Sequence, residues 1–207
     1  VKALLESNGA ATELVPVKSE GDLDLITPLY AMGVQGVFTK TLDAYLLSNR
    51  IDIAVHSLKD VPTQLAQGIA QASVLPRASY KDIFVPHPAK NDVHAHSKIA
   101  TGSVRRKAQW LNRYPGSEID NLRGNVQTRL KKLDDGIADA TIFSLAGIKR
   151  MNLDITYEQI PFLLQAPSQG VVAIASLSDN EILNESLKSI SHKETEICVT
   201  IEREFLK

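Results

Sequence analysis

Cysteine is nearly missing from this chain of 207 residues: Cys198 stands alone, so no internal disulfide can form. Aromatic residues are scarce at 5%, which argues against a nucleic-acid binder built on base stacking. Neither sign of charge dominates. The 23 Lys and Arg against 24 Asp and Glu leave a formal net charge of -1, without the basic excess of a dedicated nucleic-acid binder. No apolar run approaches the roughly 20 residues that a membrane-spanning helix needs. No secretory leader is read at the start, and no phosphate-loop or dinucleotide signature is present. These absences set the expectation of a cytoplasmic protein with neither nucleic acid nor membrane as partner.

What is there looks like ordinary globular sequence, with 43% hydrophobic and 23% charged residues. The length suits one large domain or two small ones. Val1-Lys2-Ala3-Leu4-Leu5-Glu6 reads as the inside of a helix, so a preceding element is expected. Thr200-Ile201-Glu202-Arg203-Glu204-Phe205-Leu206-Lys207 likewise stops inside a helical pattern with no cap.

Helical and strand patterns alternate, which favours an α/β class. Helices are expected over residues 39–48, 125–134, 180–190 and 194–206, with Gly136 stopping the second. Strands are expected over residues 51–55, 69–75, 82–85, 119–122, 140–143 and 171–175. One internal echo stands out: Ile51-Asp52-Ile53-Ala54-Val55-His56-Ser57-Leu58 resembles Ala138-Asp139-Ala140-Thr141-Ile142-Phe143-Ser144-Leu145. Each follows an amphipathic helix and ends a strand in Ser-Leu. The echo reads as two similarly built α/β lobes, or as a chance match of two common strand patterns. If the lobes are real, ligands belong in the crevice at the carboxyl ends of their strands.

Three stretches could carry chemistry. His56-Ser57-Leu58-Lys59-Asp60-Val61-Pro62 follows a strand and places an imidazole, an ammonium and a carboxylate within five residues. A loop on a rigid strand end is a common seat of catalytic groups, although Ser and Asp also cap ordinary helical turns. Thr101-Gly102-Ser103-Val104-Arg105-Arg106 opens a helix after a strand. Backbone N–H groups there attract anions, and guanidinium forks grip carboxylates; a capped surface helix fits the same residues. Leu122-Arg123-Gly124-Asn125-Val126-Gln127-Thr128-Arg129 repeats the pattern at another strand end. Together Lys59, Asp60, Arg105, Arg106, Arg123 and Arg129 imply a polycarboxylate ligand. His94 and His96 lack a supporting carboxylate or cysteine cluster and read as a surface loop. Cys198, between Ile197 and Val199, reads as packing.

In this order and spacing the three stretches resemble the hydroxymethylbilane synthase (porphobilinogen deaminase) family. Ala146-Gly147-Ile148-Lys149-Arg150 and Gln165-Ala166-Pro167-Ser168-Gln169-Gly170 continue the resemblance, which covers essentially the whole chain. It implies two lobes of the periplasmic-binding-protein type II fold, with mixed sheets and a cleft, plus a small third domain. Lobe 1 would comprise residues 1–75 and 171–190, lobe 2 residues 76–170, and residues 191–207 would begin a mostly absent third domain. It also implies the family's reaction, in which four porphobilinogen units are joined head to tail on a dipyrromethane cofactor, with ammonia released at each addition. By the same resemblance Asp60 is the catalytic carboxylate. Lys59, Thr101, Ser103, Arg105, Arg106, Arg123, Gly124, Arg129 and Gln169 bind cofactor and substrate. The protein is expected to act as a monomer without metal.

There are departures from the family pattern. The family's first strand would precede Val1, and its cofactor-bearing cysteine would follow Lys207, so the chain as it stands is expected to be inactive and unable to hold the cofactor covalently. Ala31 and Gln35 stand where many members have lysines, and residues 32–38 are expected to form a lid over the cleft. A non-catalytic anion-binding protein of the same architecture is the alternative. Asp60 separates the two, because an anion binder gains nothing from a carboxylate among arginines.

Overall fold

A computed structural model describes residues 1–19, 23–24, 27, 36–90 and 96–207. It contains α1 (Lys2–Ser7), α2 (Lys40–Leu47), β1 (Ile53–Ser57), a 3-10 turn (Leu58–Asp60), β2 (Ile69–Val74), β3 (Asp82–Pro86) and β4 (Lys98–Ala100). There follow α3 (Val104–Arg113), β5 (Glu118–Asp120), α4 (Val126–Asp134), β6 (Ala140–Ser144), α5 (Leu145–Arg150), β7 (Glu158–Gln159), β8 (Val172–Leu177), α6 (Glu181–Lys188) and α7 (Lys193–Glu204). The chain divides into two compact units. Unit 1 is Val1–Leu23, Val34–Ala78 and Val171–Lys207; unit 2 is Asp24–Gly33 and Ser79–Gly170.

Unit 1 is built on a three-stranded antiparallel sheet in the order β1-β8-β2. Ala54 opposes Ala175 across the β1–β8 ladder. These two small side chains let Leu46 of α2 seat against the sheet beside Ile69, all of them buried. Ile174, one residue on, points to the other face and packs with Leu5, Leu187 and Ile190. That is the two-residue alternation of a strand covered on both sides. A third cluster joins Leu58, Val61, Val74, Val171 and Ala173 to Val199 of α7. Residues 191–207, read from the sequence as the opening of a third domain, therefore pack within unit 1 here.

Unit 2 holds a five-stranded mixed sheet in the order β5-β4-β6-β3-β7. β4 runs parallel to β5 and β6, while β3 is antiparallel to β6 and β7. Its near-continuous apolar strands reflect helices on both faces. Phe84 and Ile142 join Ile99, Trp110 and Leu163 on one side; Ile83, Val85 and Phe143 join Leu133, Leu145 and Ile148 on the other. The Trp110 ring stacks on Phe84 with centroids 5.2 Å apart, and its N–H donates to Ser117 Oγ at 3.0 Å. α4 ends as expected: Gly136 takes φ +79°, and its N–H donates to Leu133 O at 2.9 Å.

The echoed segments are built alike. Ser57 and Ser144 both sit in extended conformation at the end of a strand and start a helical turn. The next residues, Leu58 and Leu145, are both buried. The Leu58 N–H donates to Val171 O at 2.9 Å and the Leu145 N–H to Lys81 O at 3.0 Å. In each case the acceptor lies beside the antiparallel neighbour strand. Some strand bounds shift: the strand read over residues 51–55 runs Ile53–Ser57, the one read over 171–175 runs Val172–Leu177, and the one read over 119–122 runs Glu118–Asp120.

Candidate functional site

In unit 1 the site residues stand where β1 gives way to the 3-10 turn. Leu58 is buried and fixes the turn, leaving Lys59 half-buried and Asp60 exposed, both engaged in polar or electrostatic contacts. His56, 8% exposed, lies on β1 just before them. Burial pushes its pKa below the usual 6.5, and the charges of Asp43 and Asp60 oppose that shift. Burial likewise raises the Asp43 carboxyl above its ordinary 3.8, with His56 and Thr39 acting against it. Burial thus disfavours the charged imidazole even beside two carboxylates.

In unit 2 the parallel run of β5, β4 and β6 puts three strand ends at one edge of the sheet. Each end feeds a helix start, at α3, α4 and α5 respectively for β4, β5 and β6. Ser103 caps α3, its Oγ accepting from the Arg106 N–H at 3.4 Å, and buried Thr101 accepts from the Ser103 N–H at 3.3 Å. Asn125 caps α4 through the Thr128 N–H at 2.8 Å. Two helix starts at one sheet edge make a positive electrostatic end for an anion. Gly102 belongs there for a steric reason: a Cβ would stand 2.7 Å from Leu122 O, a distance real Cβ atoms do not adopt. Gly124 takes φ +110°, in the left-handed region that favours glycine.

All four arginines donate to protein oxygens. Arg105 is half-buried; its Nη1 donates to Leu164 O at 2.9 Å and lies 3.6 Å from Asp82 Oδ2. Burial lowers its pKa, and Asp82 counters. Arg123 is 3% exposed and its Nη2 donates to Asp24 O at 2.8 Å. Arg129 donates from Nε to Gly124 O at 2.7 Å, and Lys132 reaches Arg123 O at 3.3 Å. Arg106, read from the sequence as a carboxylate grip for the ligand, is buried and donates to both oxygens of Asp82 and to Ile142 O. Gln169, also read as a ligand contact, is fully buried and donates to Asp82 Oδ1 at 2.8 Å and Tyr80 O at 2.7 Å.

Asp82 is the residue that sequence reading missed. It looked like the polar start of strand Ile83-Phe84-Val85, yet its side chain has no exposed surface. The available signal was a carboxylate entering a fully apolar strand, which demands a cationic partner. Residues 32–35 of the expected lid, with Ala31, and His94 lie outside the described residues. Cys198 is exposed, not packed. Among the described residues no cluster of His, Cys, Asp and Glu could hold a metal, and no helix is long and apolar enough to cross a membrane.

Comparison with known proteins gives the family. The dipyrromethane cofactor-binding domain of porphobilinogen deaminase matches residues 1–185. The chain is 42% identical over 201 residues to the chloroplastic porphobilinogen deaminase of Oryza sativa subsp. japonica, covering 95% of this chain and 56% of that protein. It is 44% identical over 202 residues to the chloroplastic enzyme of Pisum sativum, covering 95% and 55%. The chain thus spans about half the length of the curated relatives it matches. Among solved structures, an ancestral cationic amino acid solute-binding protein aligns with a TM-score of 0.53 at 13% identity, over 98% of this chain and 81% of its own. That likeness shows a fold of the periplasmic-binding-protein type.

Proposed function

The chain belongs to the porphobilinogen deaminase family, and from that membership we propose that it supplies the two catalytic lobes of a hydroxymethylbilane synthase. The whole protein would join four porphobilinogen molecules head to tail, releasing ammonia at each step, and free the linear tetrapyrrole by hydrolysis. A bound dipyrromethane would supply the primer on which the pyrroles are added.

The residues present suit such a group. Its acetate and propionate side chains call for guanidinium forks and helix N-termini, and unit 2 offers Arg105, Arg123 and Arg129 beside the starts of α3 and α4. Each charged hydrogen bond contributes about 1.5–3 kcal/mol. Thr101, Ser103 and Gly124 would complete the contacts at the strand ends of unit 2, and in unit 1 Lys59 would be the binding residue beside Asp60. Gly102 lets the strand ends of β4 and β5 approach, since a Cβ there would meet Leu122 O, and Gly124 likewise makes room for the Thr128 side chain. Arg106 and Gln169 saturate Asp82, so in this reading they fix the end of β3 and orient Arg105.

Asp60 is the catalytic carboxylate of this reading. Exposed at the end of a rigid strand, it would accept hydrogen bonds from pyrrole N–H groups and offset the positive charge that develops as the aminomethyl nitrogen departs. Its neighbour His56, kept neutral by burial, adds no competing positive charge. The reading places the protein in the cytoplasm as a monomer. Its two plant relatives are chloroplastic by name, and cell fractionation decides the compartment.

The observation that carries the proposal is the row of arginines and capped helix starts at the carboxyl edge of the unit 2 sheet, in a chain whose other unit presents Asp60 at a strand end. Incubating the longer, cysteine-containing protein with porphobilinogen and recording its mass tests it. Stepwise gains of one pyrrole unit are expected; an unchanged mass with no porphobilinogen consumed overturns it.

A further inference from the structure

Arg203 lies in the last turn of α7, half-buried, and spends its guanidinium entirely on backbone carbonyls. Its Nη1 donates to Val61 O at 3.0 Å and Leu58 O at 3.4 Å, and its Nη2 donates to Pro62 O. These acceptors bracket Lys59 and Asp60 on both sides. Carbonyls past the end of a helical turn lack intrahelical donors, as at Val61 and Pro62, whereas Leu58 O already accepts from the Val61 N–H at 3.2 Å and takes Arg203 as a second donor. Arg203 meets that demand with a planar fork, which holds several acceptors in one orientation better than an ammonium does.

The same helix holds the turn from its apolar side. Val199, one helical turn before Arg203 and on the same face, is buried against Leu58 and Val61. α7 is itself pinned to unit 1. Glu202 takes both terminal nitrogens of Arg77, at 2.5 and 2.8 Å, and Thr195 Oγ1 accepts from the Arg77 N–H at 3.1 Å. The helix is thus a fixed post, and Arg203 is the polar hook by which it grips the turn.

We propose that Arg203 is a positioning residue for Asp60, clamping the Leu58–Asp60 turn by the carbonyls on either side of it so that the carboxylate keeps one orientation during turnover. This rests on the reading of Asp60 as the catalytic carboxylate. Arg203 touches neither substrate nor cofactor in this assignment. It acts through the backbone.

Two measurements test it in the full-length, cofactor-loaded protein with Arg203→Ala and Arg203→Lys. Amide hydrogen exchange reports the clamp without any assay. Faster exchange confined to Lys59, Asp60 and Val61, with the rest of unit 1 as in the parent, is expected; unchanged exchange there overturns the clamp. Steady-state kinetics reports its consequence. A misplaced catalytic group costs up to about a hundredfold, so kcat should fall about ten- to a hundredfold in Arg203→Ala, with KM for porphobilinogen nearly unchanged. Arg203→Lys should fall in between, and added guanidinium should restore part of the loss in Arg203→Ala. Looser exchange with kcat unaltered overturns the link to Asp60. A loss of kcat that guanidinium does not relieve, and that tracks a lowered Tm, overturns it too. If the parent protein does not consume porphobilinogen, the functional reading falls while the exchange measurement still decides the clamp.

Discussion

Arg106 grips Asp82 with two parallel hydrogen bonds, Nη2 to Oδ1 at 2.6 Å and Nε to Oδ2 at 3.2 Å, where the carboxylate has no exposed surface. Gln169 closes on the same carboxylate from a residue 87 positions away. The result is a buried, fully engaged charge cluster at the base of β3, and Arg105 leans on its edge.

Breaking that pair should be costly. Removing one partner of a buried ion pair leaves the other charged and desolvated, at about 3–5 kcal/mol. Arg106→Leu is expected to lower the urea unfolding free energy by that amount, whereas Arg105→Leu, at the half-buried rim, should cost far less. Equal losses in the two variants would show that Asp82 does not depend on Arg106.

Asp60→Asn should leave the fold intact, since the side chain is exposed and Leu58 anchors the turn. Porphobilinogen consumption should fall by about 10²–10⁴, the span typical of a lost acid–base group. Parallel far-UV circular dichroism and an ammonia-release assay check both halves of the expectation.

Arg123→Leu should prevent cofactor assembly in the full-length protein, because it removes a guanidinium at the start of α4 from a 3%-exposed site. Mass spectrometry of the purified variant should show the apo mass. A fully loaded variant would remove Arg123 from cofactor binding.

Gly102→Ala forces a Cβ to within 2.7 Å of Leu122 O, and backbone cannot yield as a side-chain tip can. Overpacking of this kind costs about 1–3 kcal/mol. A lowered Tm is expected, together with weaker cofactor loading, since the turns at the ends of β4 and β5 must move apart.

Stability should also depend on pH through His56. Its folded pKa is depressed by burial below 6.5, so the unfolded chain binds the proton more readily. The contribution is whole above 6.5 and is lost as pH falls through the window down to the folded value. Asp43 acts with the opposite sign at lower pH: its raised folded pKa favours the protonated native state, an advantage lost as pH rises through that value. Denaturant titrations of the parent and His56→Gln should diverge most above pH 6.5 and converge on acidification.

Much of this was legible in residues that act on their near neighbours. The unbroken apolar run Ile83-Phe84-Val85 announces a strand covered on both faces, because successive side chains point to opposite sides of the sheet. Gly136 marks the end of α4 because a left-handed turn is satisfied within a few residues. The Ser-Leu echo at residues 57–58 and 144–145 showed two like-built strand ends, and the arginine stretches marked the edge to which the parallel strands deliver them.

Other features depend on which distant residues the fold brings together. Asp82 reads as a strand terminus until the mixed sheet carries Arg106 and Gln169 to it. Arg203 reads as a surface arginine until α7 lays it over carbonyls more than 140 positions earlier in the chain. The sequence by itself settled the class of fold, the stop of α4 and the residue types at the strand ends, because propensity and periodicity act over a few residues. Only the tertiary structure decided which protein groups each arginine meets: Asp82 for Arg106, and backbone carbonyls for Arg105, Arg123, Arg129 and Arg203. That choice is made by burial: a charge removed from water must find its partner wherever the packed core places one.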